Sequence, residues 1–249
     1  MSAVSSSIDE AEVAKFARLA AEWWDPKGSF APLHRFNPIR LRFIRDVAAE
    51  HFGRNTRERN PFENLSLLDI GCGGGLLAEP LSQLGFDVLG IDAAERNVEI
   101  ASEHAARTGA RASYRCATAE MLREEGGSFD AVLAMEIVEH VPDVWALVRE
   151  CAGLVRPGGL LFIATINRTL KSLALAKLAA EYVLRWLPPG THDWNRFIPP
   201  ERLKAMLAET GLDILRVQGM AFDPLIWDWR LSRDTDVNYV VVAGQEGHV

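Results

Sequence analysis

A glycine-rich segment between a strand pattern and a helix pattern constrains this chain more than any other feature. Residues 67–78 have the sequence LLDIGCGGGLLA, in which an apolar run ends near Asp69 and a glycine cluster follows. The next apolar run ends at a second carboxylate, Asp92. Glycine permits positive φ and close approach of a ligand to the backbone, and a carboxylate after the second strand can accept hydrogen bonds from ribose hydroxyls. The segment therefore predicts a loop that binds a nucleoside cofactor.

The spacing of the glycines distinguishes between two classes of such cofactor. A dinucleotide fingerprint requires Gly-x-Gly-x-x-Gly or Ala, and counting from Gly71 places the bulky Leu76 at the third position. The chain instead places a glycine at every second position after an acidic residue. This arrangement resembles motif I of the class I S-adenosylmethionine-dependent methyltransferases. The resemblance implies that S-adenosylmethionine is bound by Asp69, Gly71, Gly73, Gly75 and Asp92.

Composition limits the function classes that remain. A chain of 249 residues with 48% hydrophobic and 24% charged residues suits one α/β domain with additions. A net charge of -7 argues against a general nucleic-acid-binding protein, which would carry a basic face. The three cysteines have no zinc-site spacing and indicate reduced thiols. With no signal-peptide pattern and no run of eighteen uncharged apolar residues, we expect a cytoplasmic protein without a spanning helix.

Strand and helix patterns alternate from Ser66 onward. This alternation predicts an α/β fold with a doubly wound, seven-stranded, mostly parallel sheet. The last two strands are expected to form a hairpin, and a turn is expected at residues 156–159. The predicted strands are 66–70, 87–91, 112–116, 129–135, 160–166, 214–220 and 238–243. The main predicted helices are 76–84, 95–107 and 144–154.

Two segments lie outside this alternating core. Residues 1–60 are predicted to form an N-terminal helical extension and cap, and residues 61–249 the catalytic domain. An insertion at residues 168–193 follows the fifth strand. Ligands bind beyond the carboxyl ends of parallel strands, so this insertion is well placed to cover a substrate.

Several short strings outside the glycine motif narrow the resemblance further. They are residues 23–25 (WWD), 32–40 (PLHRFNPIR), 135–143 (MEIVEHVPD), 165–168 (TINR), 190–193 (GTHD) and 236–239 (DVNY). In these strings the chain resembles the bacterial ubiquinone biosynthesis O-methyltransferases over nearly its whole length. The resemblance implies O-methylation of polyprenylated catechol-type intermediates at both O-methylation steps of that pathway. It also leaves open a complex with other enzymes of the pathway.

The family's cofactor contacts fall on Arg40, Gly71, Asp92 and Met135. Arg40 is a permanent cation that can form two hydrogen bonds to the carboxylate of S-adenosylmethionine. Met135 ends the fourth predicted strand, where its backbone can meet the amino-acid part of the cofactor. From the residues alone, Arg40 could equally be a solvated charge on a helix, and Met135 an ordinary core side chain.

Glu136, Glu139 and His140 form the second group of candidates. If their segment is helical, the spacing i, i+3 and i+4 places all three on one face. Such a set could hold a divalent cation such as Mg²⁺, which would lower the pKa of a coordinated catechol hydroxyl. The alternatives are a polar helix start with favourable acidic residues, or a metal-free mechanism with a histidine base. The base candidates are His34, His140 and His192.

The apolar segment Leu170–Leu187 allows two interpretations. It carries scattered Lys and Arg and a Trp near its end, so it could pack on the core or lie at a membrane surface. The family resemblance favours peripheral contact with the inner face of the membrane, because the family's acceptors carry isoprenoid tails. Two other functions stay open, namely methylation of an unprenylated small molecule and a cofactor-binding scaffold without turnover.

Overall fold

A computed structural model describes residues 8–173 and 194–245. The strands are β1 (Ser66–Ile70), β2 (Asp87–Asp92), β3 (Ser113–Cys116), β4 (Phe129–Met135), β5 (Val155–Ile166), β6 (Asp213–Asp223), β7 (Asp228–Ser232) and β8 (Asn238–Gly244). The helices are α1 (Glu10–Leu19), α2 (Ala31–His51), α3 (Ala78–Gln83), α4 (Glu95–Thr108), α5 (Ala119–Glu124), α6 (Val144–Gly153), α7 (Leu170–Ser172) and α8 (Pro200–Ala208).

The described strands form a single mixed sheet in the order β3-β2-β1-β4-β5-β8-β6-β7. Strands β1 to β5 run parallel, whereas β8 is antiparallel to both β5 and β6. The doubly wound α/β prediction is therefore confirmed. The order reverses at β1, whose two neighbours are β2 and β4, and ligands of such sheets bind at this switch point.

Helices cover both faces of the sheet, which explains why its central strands are continuously apolar. Leu67 of β1 belongs to the layer beneath α2 and α3, together with Ile44 and Leu81. The next residue, Leu68, belongs to the opposite layer with α6 and α8. Alternation along β1 thus contributes one leucine to each of two cores, and both side chains are fully buried.

The structure corrects the expected C-terminal hairpin. The described sheet has eight strands, one more than predicted, because β7 lies between β6 and β8 in the chain. The hairpin is formed by β6 and β7, and β8 then pairs with β6 from the other side. Strand β7 was missed because it has only five residues and mostly exposed side chains, although its sequence, DWRLS, alternates between polar and apolar residues. Helix α5 was also missed, since it has only six residues.

The second helix begins earlier than its apolar pattern indicates. The helix-like run at residues 38–50 predicts a start at Pro38, but α2 starts at Ala31 and contains Pro38 in its interior. Pro32 lies in the first turn, where a missing N–H costs nothing. Phe36, Ile39 and Ile44 of α2 pack in the same core as the sheet. The boundary at residue 60 stays a prediction, although α2 shares its core with the following domain.

Most of the predicted interfacial helix, and His192 with it, lies outside the described residues. The described part of this segment begins with α7. Thr169 caps α7 by accepting a hydrogen bond from the backbone N–H of Ser172. None of the described helices has the length and apolar character needed to cross a bilayer.

Candidate active site

A cavity of about 1050 Å³ lies at the carboxyl ends of the central parallel strands. Strand β1 contributes Asp69, β2 contributes Asp92, and β4 contributes Met135. Residues of α1 and α2 and of the segment between them close its other side. Because β2, β1 and β4 are adjacent, residues far apart in sequence meet at one edge of the sheet. Six of the predicted cofactor residues line this cavity: Arg40, Asp69, Gly71, Gly73, Asp92 and Met135.

The glycine loop, residues 71–75, passes over the ends of β1 and β2. Gly73 has a φ of 53° and donates its backbone N–H to Asp92 Oδ2 at 3.0 Å. A Cβ atom there would lie 2.4 Å from the ring of Trp23, so a side chain is excluded. Gly75 has a φ of 87°, and a Cβ atom on it would lie 2.4 Å from the Tyr114 hydroxyl. Gly75 therefore packs against β3 and is placed behind the cavity wall.

Asp92 is held by N–H donors from three places in the chain. Its Oδ1 accepts from Ala94 N at 2.8 Å and from Asn97 Nδ2 at 3.2 Å, and its Oδ2 accepts from Gly73 N. Burial raises the pKa of this carboxyl group, while the N–H donors lower it. A carboxylate oxygen accepts about two hydrogen bonds. In the described part of the chain, Oδ2 therefore keeps capacity for one further donor.

Arg40 is a buried cation at the cavity wall, with 3% of its surface exposed. Its guanidinium lies 4.0 Å from the ring centre of Phe36, and its Nη2 lies 2.9 Å from Glu136 Oε1. This ion pair is close but not aligned, so Nε and Nη2 of Arg40 make no hydrogen bond to any described residue. Buried donors of this kind need an acceptor. A carboxylate ligand would provide it with two oxygens.

Asp69 adds an acidic group to the cavity, opposite in charge to the guanidinium of Arg40. It is buried, and desolvation together with the nearby charge of Asp92 raises its pKa to about 7, against a smaller lowering by Arg40. A cationic ligand beside Asp69 would relieve this repulsion and favour the ionised form. The cavity thus combines an unsatisfied guanidinium with the buried carboxyl group of Asp69 and the partly buried one of Asp92. This combination suits a zwitterionic amino acid joined to a ribose.

The structure does not bring Glu136, Glu139 and His140 together on a helix face. Glu136 has a φ of 58°, so it is not helical, and its side chain turns toward Arg40. Glu139 and His140 follow in a short 3-10 helix, Val138–His140. Glu139 Oε2 accepts a hydrogen bond from Thr165 Oγ1 at 2.9 Å.

The structure therefore does not support the predicted metal set, because the helical spacing that it assumed is not formed. Across residues 8–173 and 194–245 there is no group of three or more His, Cys, Asp and Glu side chains that could hold a metal ion. The positive φ of Glu136 breaks the helical spacing that the prediction assumed. Burial, with a smaller contribution from Glu136, raises the pKa of Glu139 to about 7. Its Oε1 has no hydrogen-bond partner among the described residues.

His140 instead pairs with a carboxylate from the N-terminal helix. Its Nδ1 lies 2.8 Å from Glu12 Oε2, and the edge of the Phe16 ring packs against the imidazole. The contact with His140 lowers the pKa of Glu12, so the Glu12 carboxylate accepts and Nδ1 carries the proton. In the neutral imidazole, Nε2 is then the acceptor. His140 lines the cavity, whereas His34 Nε2 bonds to the backbone oxygen of Trp23.

Four residues of the site had no role in the sequence-based prediction. They are Glu12, Trp23, Asn97 and Thr165. Trp23 and Thr165 were noted only as parts of family strings. Each of the four contacts a residue distant in sequence, up to 128 positions for Glu12 and His140, although Asn97 also donates to the nearby Asp92. Local spacing could not have identified the distant contacts.

Comparison with known proteins decides the family. A family model described as a methyltransferase domain matches residues 33–217. The ubiquinone biosynthesis O-methyltransferase of Sinorhizobium medicae is 57% identical over 96% of each chain. The enzyme of the same name from Caulobacter vibrioides is 56% identical over 98% of this chain and 97% of its own. The chain belongs to the ubiquinone biosynthesis O-methyltransferase family.

Solved structures agree on the fold. Magnesium protoporphyrin IX methyltransferase from Synechocystis PCC 6803, solved with bound S-adenosylhomocysteine, has a TM-score of 0.63 at 20% identity, covering 94% of both chains. A SAM-dependent methyltransferase from Thermotoga maritima, a possible histamine N-methyltransferase, has a TM-score of 0.64 at 18% identity, covering 93% of this chain and 98% of its own. The fold is that of the SAM-dependent methyltransferases. The predictions of family, fold and O-methyltransferase activity are confirmed.

The raised pKa of Asp69 makes stability depend on pH. A carboxyl group with a folded pKa of about 7 and an ordinary value of 3.8 destabilises the ligand-free protein increasingly as pH rises toward 7. We expect the free energy of unfolding to lose about 2 kcal/mol between pH 5 and pH 8 through this group. In Asp69→Asn that part of the loss should disappear, as measured by urea unfolding at both pH values.

The matched control is Asp87→Asn, at the exposed first position of β2. It should keep the pH dependence of the wild type. Equal pH dependence in Asp69→Asn and the wild type would contradict the assignment of this effect to Asp69.

Proposed function

We propose that this protein transfers the methyl group of S-adenosylmethionine to a phenolic hydroxyl of polyprenylated catechol-type intermediates in ubiquinone biosynthesis, at both O-methylation steps. The observation that carries the proposal is the cavity that joins Arg40, Asp69 and Asp92 in a chain 57% identical to a ubiquinone biosynthesis O-methyltransferase. The unsatisfied guanidinium and the buried carboxylates fit the charges of this methyl donor.

Each part of the donor has a partner among the cavity residues. Arg40 would bind its carboxylate through Nε and Nη2, and Asp69 would face its ammonium group. The free position on Asp92 Oδ2 would accept from a ribose hydroxyl. At Gly71 and Gly73 the space that a side chain would take is filled by Ile137 and Trp23. Met135 would cover the donor from the end of β4. The bound donor supplies a methyl group on a sulfonium leaving group, so positioning of the acceptor provides much of the rate.

His140 and Glu139 are the residues that we assign to the acceptor. Glu12 orients the imidazole so that Nε2 can take the proton of the hydroxyl that becomes methylated. This arrangement resembles the carboxylate–histidine pair of other general bases. Glu139 Oε1 would accept a hydrogen bond from the neighbouring catechol hydroxyl. His192, the other proposed catalytic histidine, lies outside the described residues.

The test of the acceptor is methyl transfer to catechols with and without a prenyl tail. Because Phe36, Trp227 and Trp229 provide apolar cavity walls, we expect removal of the tail to lower kcat/KM at least about tenfold. Turnover of both acceptors at the same rate would indicate an unprenylated substrate. Donor binding without turnover of either acceptor would indicate a cofactor-binding scaffold.

The proton acceptor can be tested on the His140–Glu12 pair. His140→Ala should lower kcat about 100-fold, in the range of lost general-base catalysis. Glu12→Ala should lower it about tenfold, because the imidazole loses its orientation. The exposed Glu10 on the same helix is the matched control, and Glu10→Ala should keep wild-type kcat.

The same assay decides whether Mg²⁺ takes part. With His140 as the base, EDTA should leave turnover unchanged. Loss of turnover in EDTA that Mg²⁺ restores, together with wild-type kcat in Glu12→Ala, would contradict the histidine mechanism and support a metal-bound acceptor.

We also propose that the protein lies against a membrane surface while it takes up its prenylated acceptor. The turn between β6 and β7 exposes Leu225 by 93%, Ile226 by 66% and Trp227 by 54%, and Leu170 at the start of the insertion is 79% exposed. Trp227 also lines the cavity, so this apolar turn borders its opening. Trp beside aliphatic residues is typical of membrane interfaces. A complex with other enzymes of the pathway stays a prediction.

Membrane contact can be measured by sedimentation with vesicles containing phosphatidylglycerol. Replacement of Leu225 and Ile226 by Ser should lower the sedimented fraction several-fold, since two apolar side chains are no longer buried in lipid. Leu215→Ser is the matched control, because Leu215 is a partly exposed leucine near the other end of β6. An unchanged fraction in the double variant would contradict a role for the turn.

A further inference from the structure

Two consecutive tryptophans of the N-terminal segment lie directly on the glycine loop. Trp23 covers Gly73 and Gly74: a Cβ atom on Gly73 would lie 2.4 Å from its ring, and one on Gly74 would lie 2.4 Å from the Trp23 Cβ and 2.5 Å from the ring. Trp24 donates its Nε1–H to Gly74 O at 2.8 Å. Trp23 donates its Nε1–H elsewhere, to Asn97 Oδ1 at 2.9 Å. Both indoles thus contact the glycine loop, but their N–H groups donate to different residues, Asn97 for Trp23 and Gly74 for Trp24.

The Trp23 contact determines which way the Asn97 amide faces. An indole N–H can only donate, so the atom that it meets must be the amide oxygen. Asn97 Nδ2 then points to Asp92, to which it donates at 3.2 Å. Asn97 is 1% exposed, so water cannot compete for either end of the amide. With the amide reversed, an oxygen would face the Asp92 carboxylate and repel it.

Trp23 is itself held in place by its surroundings. Its ring stacks on Phe30 with centroids 3.7 Å apart and planes 4° from parallel. Ala20 and Leu76 complete a small buried cluster around the two rings. Its backbone oxygen bonds to His34 Nε2 at 2.8 Å. The indole therefore presents its N–H to Asn97 in a fixed direction.

We infer that Trp23 is a positioning residue for the methyl donor, acting on the ribose through Asn97 and Asp92. The indole fixes the amide of Asn97, and the amide fixes Asp92 Oδ1. The carboxylate then presents the free position of Oδ2 to a ribose hydroxyl. This inference rests on the proposed role of Asp92 as the ribose ligand. It makes the N-terminal segment part of the donor site. The sequence predicted no donor contact in the residues that precede Arg40.

A structural role and a positioning role for Trp23 predict different changes in ligand affinity when Trp23 is replaced. The difference lies in how much of the loss depends on the ribose hydroxyls. A packing defect would weaken binding of every ligand of the cavity by a similar factor. Loss of positioning would weaken only the part of the affinity that depends on the ribose hydroxyls. The ratio of the affinities for two ligands that differ in those hydroxyls separates the two.

The experiment is titration calorimetry of the full chain with S-adenosylhomocysteine and with its 2′,3′-dideoxy analogue. In the wild type we expect the hydroxyls to improve Kd about 30-fold, as for a hydrogen bond to a buried charged group. Trp23→Phe keeps the stacked ring and removes the N–H, and it should reduce this ratio to about threefold. Trp24→Phe removes the matching bond to Gly74 and should keep the wild-type ratio.

Three results would overturn the inference. The first is a wild-type ratio in Trp23→Phe. The second is an equal loss of ratio in Trp24→Phe. The third is a wild-type protein that binds both ligands equally, which would also overturn the ribose role of Asp92. If Trp23→Phe does not fold, as judged by thermal unfolding, the test is Asn97→Ser, which removes the amide that Trp23 holds toward Asp92 and should lower the ratio to about threefold; a wild-type ratio in Asn97→Ser would likewise overturn the inference.

Discussion

The hydrogen bonds to Asp92 are the constraint on which the rest of the site depends. One carboxylate joins the glycine loop, through Gly73, to the start of helix α4, through its N-cap Ala94 and through Asn97. Burial disfavours its charge, and the three N–H donors offset part of that cost. Because Asp92 connects the loop to α4, the loop cannot move away without breaking the bond from Gly73. Asp92 therefore sets the shape of the donor site before any ligand binds.

The charges around this carboxylate explain the kind of ligand the cavity can accept. Asp69 lies close enough to Asp92 to raise its own pKa, and Arg40 only partly compensates. Arg40 pairs with Glu136 at 2.9 Å but keeps hydrogen-bonding capacity. A neutral or purely anionic ligand would leave the carboxylates repelling each other. A ligand with separate positive and negative groups would satisfy both sides of the cavity.

Local sequence patterns predicted β1 to β4 closely and failed where contacts override local preference. Strand β5 begins at Val155 and runs through residues 156–159, where a turn was predicted. Strands β1 and β4 have the predicted bounds, since apolar runs between turn residues leave few alternatives. Glu136, Glu139 and His140 do not share the helix face that their spacing predicted, because Glu136 adopts a positive φ. Strand β7 was missed because it is short and mostly exposed, and it is stabilised by pairing with β6.

The sequence by itself determined the cofactor class and predicted the loop that we propose to bind it, because glycine spacing and a carboxylate after a strand act through the local backbone. The tertiary structure decided how the groups to which we assign catalytic and positioning roles are arranged. Glu12 reaches His140, and Trp23 reaches Asn97, only after the N-terminal helices fold over the sheet edge. Side-chain hydrogen bonds of this kind depend on distances between elements. Spacing along the chain does not encode those distances.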